Sequence, residues 1–203
     1  MPHIVDYYFA PQSPWTYLGH ARFKQITEAA GAEVRVLPAD LGRVFPVSGG
    51  LPLAQRPQQR QAYRLVELRR FSEFLKLPLN LQPRFFPVKS DDAARLIIAA
   101  DLHHGTDAAM QLTGRVLAAC WAEERDIADA ATLAALLAEA GLPAALLEQS
   151  RGAQPQACYD HNTQAAIELG VFGAPTYVVG GEMFWGQDRL DFLARALDRP
   201  TGA

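Results

Sequence analysis

The chain has 203 residues, of which 49% are hydrophobic and 20% charged, with a formal net charge of −3. That length fits one compact domain, or a core carrying an inserted subdomain, and can bury a large core without disulfides or metal. The charge balance argues against a nucleic-acid binder or a polybasic membrane surface, and no apolar run approaches the ~20 residues that span a bilayer.

Ile4–Phe9 is apolar and rich in aromatic and β-branched residues, the pattern of a buried strand. Pro11 stops any ladder, and Ser13-Pro14 is a helix start, with serine as N-cap and proline at the first helical position. Leu18, Ala21, Ile26 and Ala29 continue a helical stripe that Gly31 ends. Glu33–Pro38 reads as a second strand, so the chain opens β-α-β, with parallel strands and a right-handed crossover. Residues 42–57 contain Gly49-Gly50, Pro46, Pro52 and Pro57 and read as a long connection, a kind of segment that is more often functional than idle.

From residue 60 to about 153 the spacing is helical throughout. Leu65, Leu68, Phe71 and Leu75 form one stripe, ended by Pro78. Ser90-Asp91-Asp92 opens a helix, Asp107 another, and Leu133, Leu136, Leu137 and Ala140 mark a fourth, stopped by Gly141. Pro143 starts a short fifth. A helix over 154–169 precedes two short strands flanking Gly180-Gly181, a two-residue hairpin. A last helix runs over 189–197. Strands at both ends need one another to complete a sheet. The expected organisation is therefore a discontinuous α/β domain, 1–41 with 154–203, interrupted by an all-helical insertion, 42–153.

Ser13 stands where a strand hands over to a helix. On residue types alone it caps the helix. The same spot also favours an anion, because free backbone N–H groups and the helix dipole point one way, and a thiolate held there would be stabilised. No Gly-x-Ser-x-Gly elbow surrounds it. Cys120 and Cys158 form no C-x-x-C, which argues against a redox dithiol, a disulfide scaffold and a zinc site. Cys120 lies on an apolar stripe; Cys158 is on a more polar helix. The opening residues lack a basic n-region and an apolar h-region, so a cytoplasmic, reducing compartment is expected.

The element order, with a proline opening the third strand, resembles a thioredoxin fold with a helical insertion, the DsbA-like arrangement. Tyr7-Tyr8-Phe9 followed by Ser13-Pro14-Trp15-Thr16-Tyr17-Leu18 resembles the opening of 2-hydroxychromene-2-carboxylate isomerases and of their relatives, the kappa-class glutathione transferases. Val171-Phe172-Gly173-Ala174-Pro175-Thr176, Phe184-Trp185-Gly186-Gln187-Asp188-Arg189-Leu190 and the helical segment from Ala119 to Ile127 resemble further family motifs. The resemblance covers nearly the whole chain.

In redox relatives a C-x-x-C occupies the place of Ser13-Pro14-Trp15-Thr16. The resemblance implies that sulfur is brought in as glutathione, with its thiolate beside the Ser13 hydroxyl, and that Ser13 tunes the sulfur rather than attacks. It implies a cis Pro175, with the Ala174 backbone free to pair with the cysteinyl part of the tripeptide. Asp188 would receive the γ-glutamyl ammonium, and N–H groups near Gln187 and Asp188 its carboxylate. Arg189 would brace the site, and Arg60 would pair with a glutathione carboxylate. Arg56, Arg64, Arg69 and Arg70 read as solvated arginines. Gly50 stands where relatives usually carry asparagine, which implies a lost contact. Trp121 and Tyr63 read either as lining of the hydrophobic half of the cleft or, more simply, as interdomain core. His161 reads as a surface residue, and His103-His104 as a polar helix end.

The implied activity is glutathione-dependent isomerisation of a small aromatic catabolic intermediate, in a homodimer without nucleic acid or membrane. A kappa-like transferase or peroxidase and a catalytically silent binding module are the rival readings.

Overall fold

The computed structural model describes residues 2–199, so the outermost bounds of the expected α/β domain, Met1 and residues 200–203, lie outside the described residues. β1 (Ile4–Phe9), α1 (Pro14–Ala30) and β2 (Glu33–Pro38) fall where the sequence pattern puts them. Ser13 is the N-cap of α1, with extended φ −79° and ψ 123°, and Gly31 closes the helix in the left-handed region at φ 60°. β1 pairs in parallel with β2 and antiparallel with β3 (Thr176–Val179), which pairs antiparallel with β4 (Glu182–Trp185). The sheet order is β2-β1-β3-β4. Gly180 and Gly181 take φ 56° and 85°, both positive as the two-residue hairpin demands.

One rung of the sheet, Val36–Tyr7–Tyr177–Phe184, is apolar or aromatic from edge to edge. Tyr7 and Tyr177 are fully buried, stack with centroids 5.4 Å apart, and rest on Phe23 of α1. Leu190, Leu193 and Leu197 of α9 (Leu190–Leu197) join the same core. The neighbours Tyr8 and Val178 point to the other face, onto Val44 of α2 (Leu41–Ser48) and Ala166 of α8 (Ala153–Glu168). Both faces of β1 are therefore covered, which is what a continuous apolar run requires.

Between α2 and α8 lie α3 (Gln58–Leu75), α4 (Asp91–His104), α5 (Thr106–Trp121), α6 (Ala130–Glu139) and α7 (Ala145–Gln149). Leu96 and Ile97 of α4 and Leu112 and Val116 of α5 continue the core that begins at the sheet. Among the described residues, no helix is long and apolar enough to cross a membrane.

Three elements depart from the sequence reading. Residues 42–57 are not one loop: α2 forms across most of the first half, and a 3-10 turn covers Leu53–Gln55. Gly42 and Pro46 give α2 poor intrinsic propensity. It forms because Asp40 accepts the Gly42 N–H at 2.7 Å, Gly49 ends it at φ 73°, and Val44 is fully buried against the sheet. α3 ends at Leu75 rather than at Pro78; Lys76 takes the left-handed cap at φ 54°. The last helix begins at Leu190 rather than at 189, after a 3-10 turn, Gln187–Arg189, that contains Asp188.

The sequence gives no hint of a polar contact buried between α1, β1 and α5. His20 Nε2 lies 2.9 Å from the Met110 carbonyl, and Nδ1 lies 3.2 Å from the Tyr7 hydroxyl. A carbonyl only accepts, so Nε2 carries the proton and Nδ1 accepts from Tyr7. Burial pushes the His20 pKa down to about 4, with Lys24 adding a smaller push the same way, against the Met110 hydrogen bond that favours the charged form.

Candidate active site

Ser13 ends the turn that leaves β1, and its N–H bonds to the Ala10 carbonyl at 2.9 Å. Its Oγ accepts the Thr16 N–H at 3.2 Å and donates to the Ala174 carbonyl at 3.4 Å. The first bond orients the oxygen; the second is long, so the hydroxyl proton is free to turn to a better acceptor. Thr16, in the last place of the four, is fully buried, and its Oγ1 has no hydrogen-bond partner among the described residues. Of the two hydroxyls at the former dithiol positions, only the Ser13 oxygen opens to a cleft.

Ala174–Pro175 is cis, and the Pro175 carbonyl accepts the Gly186 N–H at 2.9 Å. That bond ties the start of β3 to the end of β4. It brings the Gln187–Arg189 turn alongside α1, close enough that a Cβ on Gly19 would meet the Gln187 Cβ at 2.8 Å. Gln187 is 4% exposed, and its Nε2 is a buried donor with no partner among the described residues. The neighbouring Asp188 is exposed and accepts Arg189 Nη1 at 2.6 Å.

The cleft has two lobes. The first, of about 700 Å³, takes in Arg60, Tyr63, Ala174, Gln187, Asp188 and Arg189. The second, of about 590 Å³, takes in Ser13, Ala174, Asp40, Leu53, Phe86 and Lys89. Trp15, Phe45, Arg56, Arg64, Phe172, Ala174 and Trp185 line both, so the lobes are one continuous groove passing Ala174. Six of the seven residues singled out from the sequence thus line the groove, in two clusters joined at Ala174. Pro175 is buried behind them and shapes the backbone.

The groove is cationic. In the first lobe Arg56, Arg60, Arg64 and Arg189 face Glu67 and Asp188, and Asp188 is already bonded to Arg189. Arg60 is exposed at the edge. Burial and the neighbouring Arg60 both lower the Arg56 pKa, as expected where two guanidiniums share one wall.

The structure reassigns Arg64 and decides the places of Tyr63 and Trp121. Arg64, read from sequence as solvated, is only 9% exposed and lies against the groove. Tyr63 is not core but 54% exposed on the groove wall. Trp121 is core; it packs on Phe86 and donates its indole N–H to the Gln12 carbonyl at 3.2 Å. The aromatic pair Phe172 and Trp185, with centroids 4.7 Å apart, also lines both lobes and was not singled out. The absent asparagine at Gly50 has a steric counterpart: a Cβ there would stand 2.4 Å from the Phe45 ring, so Phe45 fills that space. His161 is exposed on α8, away from both lobes. Cys120 is buried, which pushes its thiol up to about 12, with Asp126 adding to the effect, and leaves it inert.

A thioredoxin-type sheet, a cis-proline at the start of β3 and a serine at the N-cap of α1 define a DsbA-like protein. Residues 4–198 match the family model described as DSBA-like thioredoxin domain. A protein of Pseudomonas putida named 2-hydroxychromene-2-carboxylate isomerase is 34% identical over 202 residues, spanning 97% of this chain and 95% of that one. A solved 2-hydroxychromene-2-carboxylate isomerase superposes with a TM-score of 0.76 at 30% identity, covering 96% of this chain and 94% of that one. Glutathione S-transferase kappa 1 of Caenorhabditis elegans is 24% identical, spanning 98% of this chain and 94% of that protein. The chain belongs to the 2-hydroxychromene-2-carboxylate isomerase family, within the DsbA-like thioredoxin proteins.

Proposed function

We propose that the protein is a glutathione-dependent isomerase of an aromatic catabolic intermediate, of the type that converts 2-hydroxychromene-2-carboxylate to trans-o-hydroxybenzylidenepyruvate. The observation that carries this reading is the Ser13 Oγ, held at the N-terminus of α1 and open to the second lobe beside the Ala174 carbonyl. The names of the relatives support the substrate type, and the kappa glutathione transferase among them supports the thiol.

The residues fit glutathione. Gln187 lines the first lobe, and its buried Nε2, a donor without a partner among the described residues, would be satisfied by a carboxylate brought to it. Asp188 stands next to it to receive an ammonium. Arg60, at the lobe edge, suits the second carboxylate. The Ala174 backbone offers its polar groups to a peptide laid alongside, in the manner of an added strand. When bound, glutathione supplies a thiolate for reversible addition to the conjugated double bond that must rotate. Ser13 would donate a hydrogen bond from its hydroxyl to the anion, and the dipole at the N-terminus of α1 would add to it. The aromatic walls of the second lobe hold the ring system and keep water from the reacting carbon.

The test is interconversion of the chromene carboxylate and the benzylidenepyruvate, followed by ultraviolet absorbance with and without glutathione. Turnover that requires glutathione is expected. An equal rate without the thiol, or no turnover with it, contradicts the reading. Conjugation of a chloronitrobenzene without isomerisation would identify a kappa-like transferase instead.

A further inference from the structure

Arg64 is a groove residue whose chemistry the thiol site does not use. It is 9% exposed, yet among the described residues it makes no ion pair and no side-chain hydrogen bond. Its guanidinium carbon lies 5.2 Å from the Phe86 ring centroid and 5.6 Å from that of Trp121. Those rings support the cation through their faces but accept none of its five N–H donors as a carboxylate would. Buried arginines are ordinarily paired, because an uncompensated charge away from water is costly. Here burial and the nearby Arg56 lower the pKa to about 10, so the side chain remains a cation at neutral pH.

Arg64 is also common to both lobes, on a wall it shares with Trp15, Phe45, Phe172 and Trp185. That wall presents aromatic faces for a planar ring, a guanidinium for an anion, and no carboxylate to repel one. On the strength of the function proposed above, we propose that Arg64 is the specificity-determining residue for the carboxylate of the aromatic substrate, binding it through its planar fork while the ring stacks on the aromatic wall. The role is distinct from that of Arg60, which is exposed at the edge of the thiol lobe. An arginine rather than a lysine is needed, because only the fork meets both carboxylate oxygens at once.

The experiment uses two probes that cannot isomerise, chromone-2-carboxylate and its methyl ester, titrated by calorimetry into wild type, Arg64→Met and Arg64→Lys, with glutathione titrated separately into each. Methionine keeps most of the packing stem and removes the charge. Wild type should bind the acid about 10- to 100-fold more tightly than the ester, the ratio expected of a charge-assisted pair. Arg64→Met should abolish that preference by weakening the acid alone, Arg64→Lys should retain only part of it, and glutathione affinity should stay the same in all three. Equal binding of acid and ester by wild type overturns the proposal, and that result needs no variant to fold. So does an unchanged preference in Arg64→Met, or a loss of glutathione affinity with the preference intact, which would put Arg64 in the thiol site. Arg64-dependent acid binding in a protein that turns over neither isomer supports the assignment and rejects the proposed reaction. Full glutathione-dependent isomerisation with no Arg64 dependence rejects the assignment alone.

Discussion

Replacing Ser13 by alanine is expected to lower turnover about 100-fold while removing only about 1 kcal/mol of stability. The two effects have different sources. The stability loss is that of the cap: Oγ accepts the Thr16 N–H at 3.2 Å, and without it that donor loses its side-chain partner. The rate loss comes from the hydroxyl proton, a side-chain donor at the N-cap of α1 on the groove wall. Accepting from Thr16 polarises the hydroxyl and strengthens its own donation. Turnover at saturating glutathione and urea unfolding, measured on the same preparation, separate the two. Unchanged turnover with a small stability loss would reduce Ser13 to a helix cap.

The second large effect is acid lability from a residue far from the groove. His20 has a folded pKa of about 4, against 6.5 for an unperturbed histidine. The unfolded chain therefore binds a proton between those values that the folded chain refuses. The contribution of neutral His20 is complete above pH 6.5, falls as the pH drops through that window, and is gone below pH 4. The gap corresponds to about 3 kcal/mol at 1.36 kcal/mol per pH unit. Chemical unfolding between about pH 7 and pH 4 should show this loss in wild type. His20→Asn should be less stable at neutral pH, because it leaves Tyr7 and Met110 with poorer partners, but its stability should fall far less over the same range. A variant that follows the wild-type pH curve in parallel would remove His20 as the cause.

The fold was largely legible because its signals are local. Ser13-Pro14, Gly31 and Gly180-Gly181 are punctuation whose backbone needs are the same in any context, and each does in the structure what its chemistry dictates. α2 was not legible, because Gly42 and Pro46 speak against a helix and the force that makes one, burial of Val44 between Tyr8 and Ala166, is tertiary. The same limit applies to the groove. Ser13 stood out as a helix cap at a spot that favours an anion, whereas the motif containing Gln187-Asp188-Arg189 was found through resemblance to a family. Arg64 was passed over because arginines crowd that helix. Its one sequence signal is its place a turn beyond Arg60, at the i, i+4 spacing that puts two side chains on one face. The His20 contact joins residues 7, 20 and 110, a separation that no periodicity reveals.

The central claim is that the α1 N-terminus and Ser13 hold a thiol brought in from solution as its anion. The most direct measurement is the ionisation of glutathione in the complex, followed by thiolate ultraviolet absorbance against pH in wild type and in Ser13→Ala. A bound thiol pKa lowered from about 8.5 to below about 7.5 in wild type, and returned toward the free value by the alanine, is the result expected. A bound thiol that titrates like free glutathione in both proteins, or no complex at all at millimolar thiol, would contradict it.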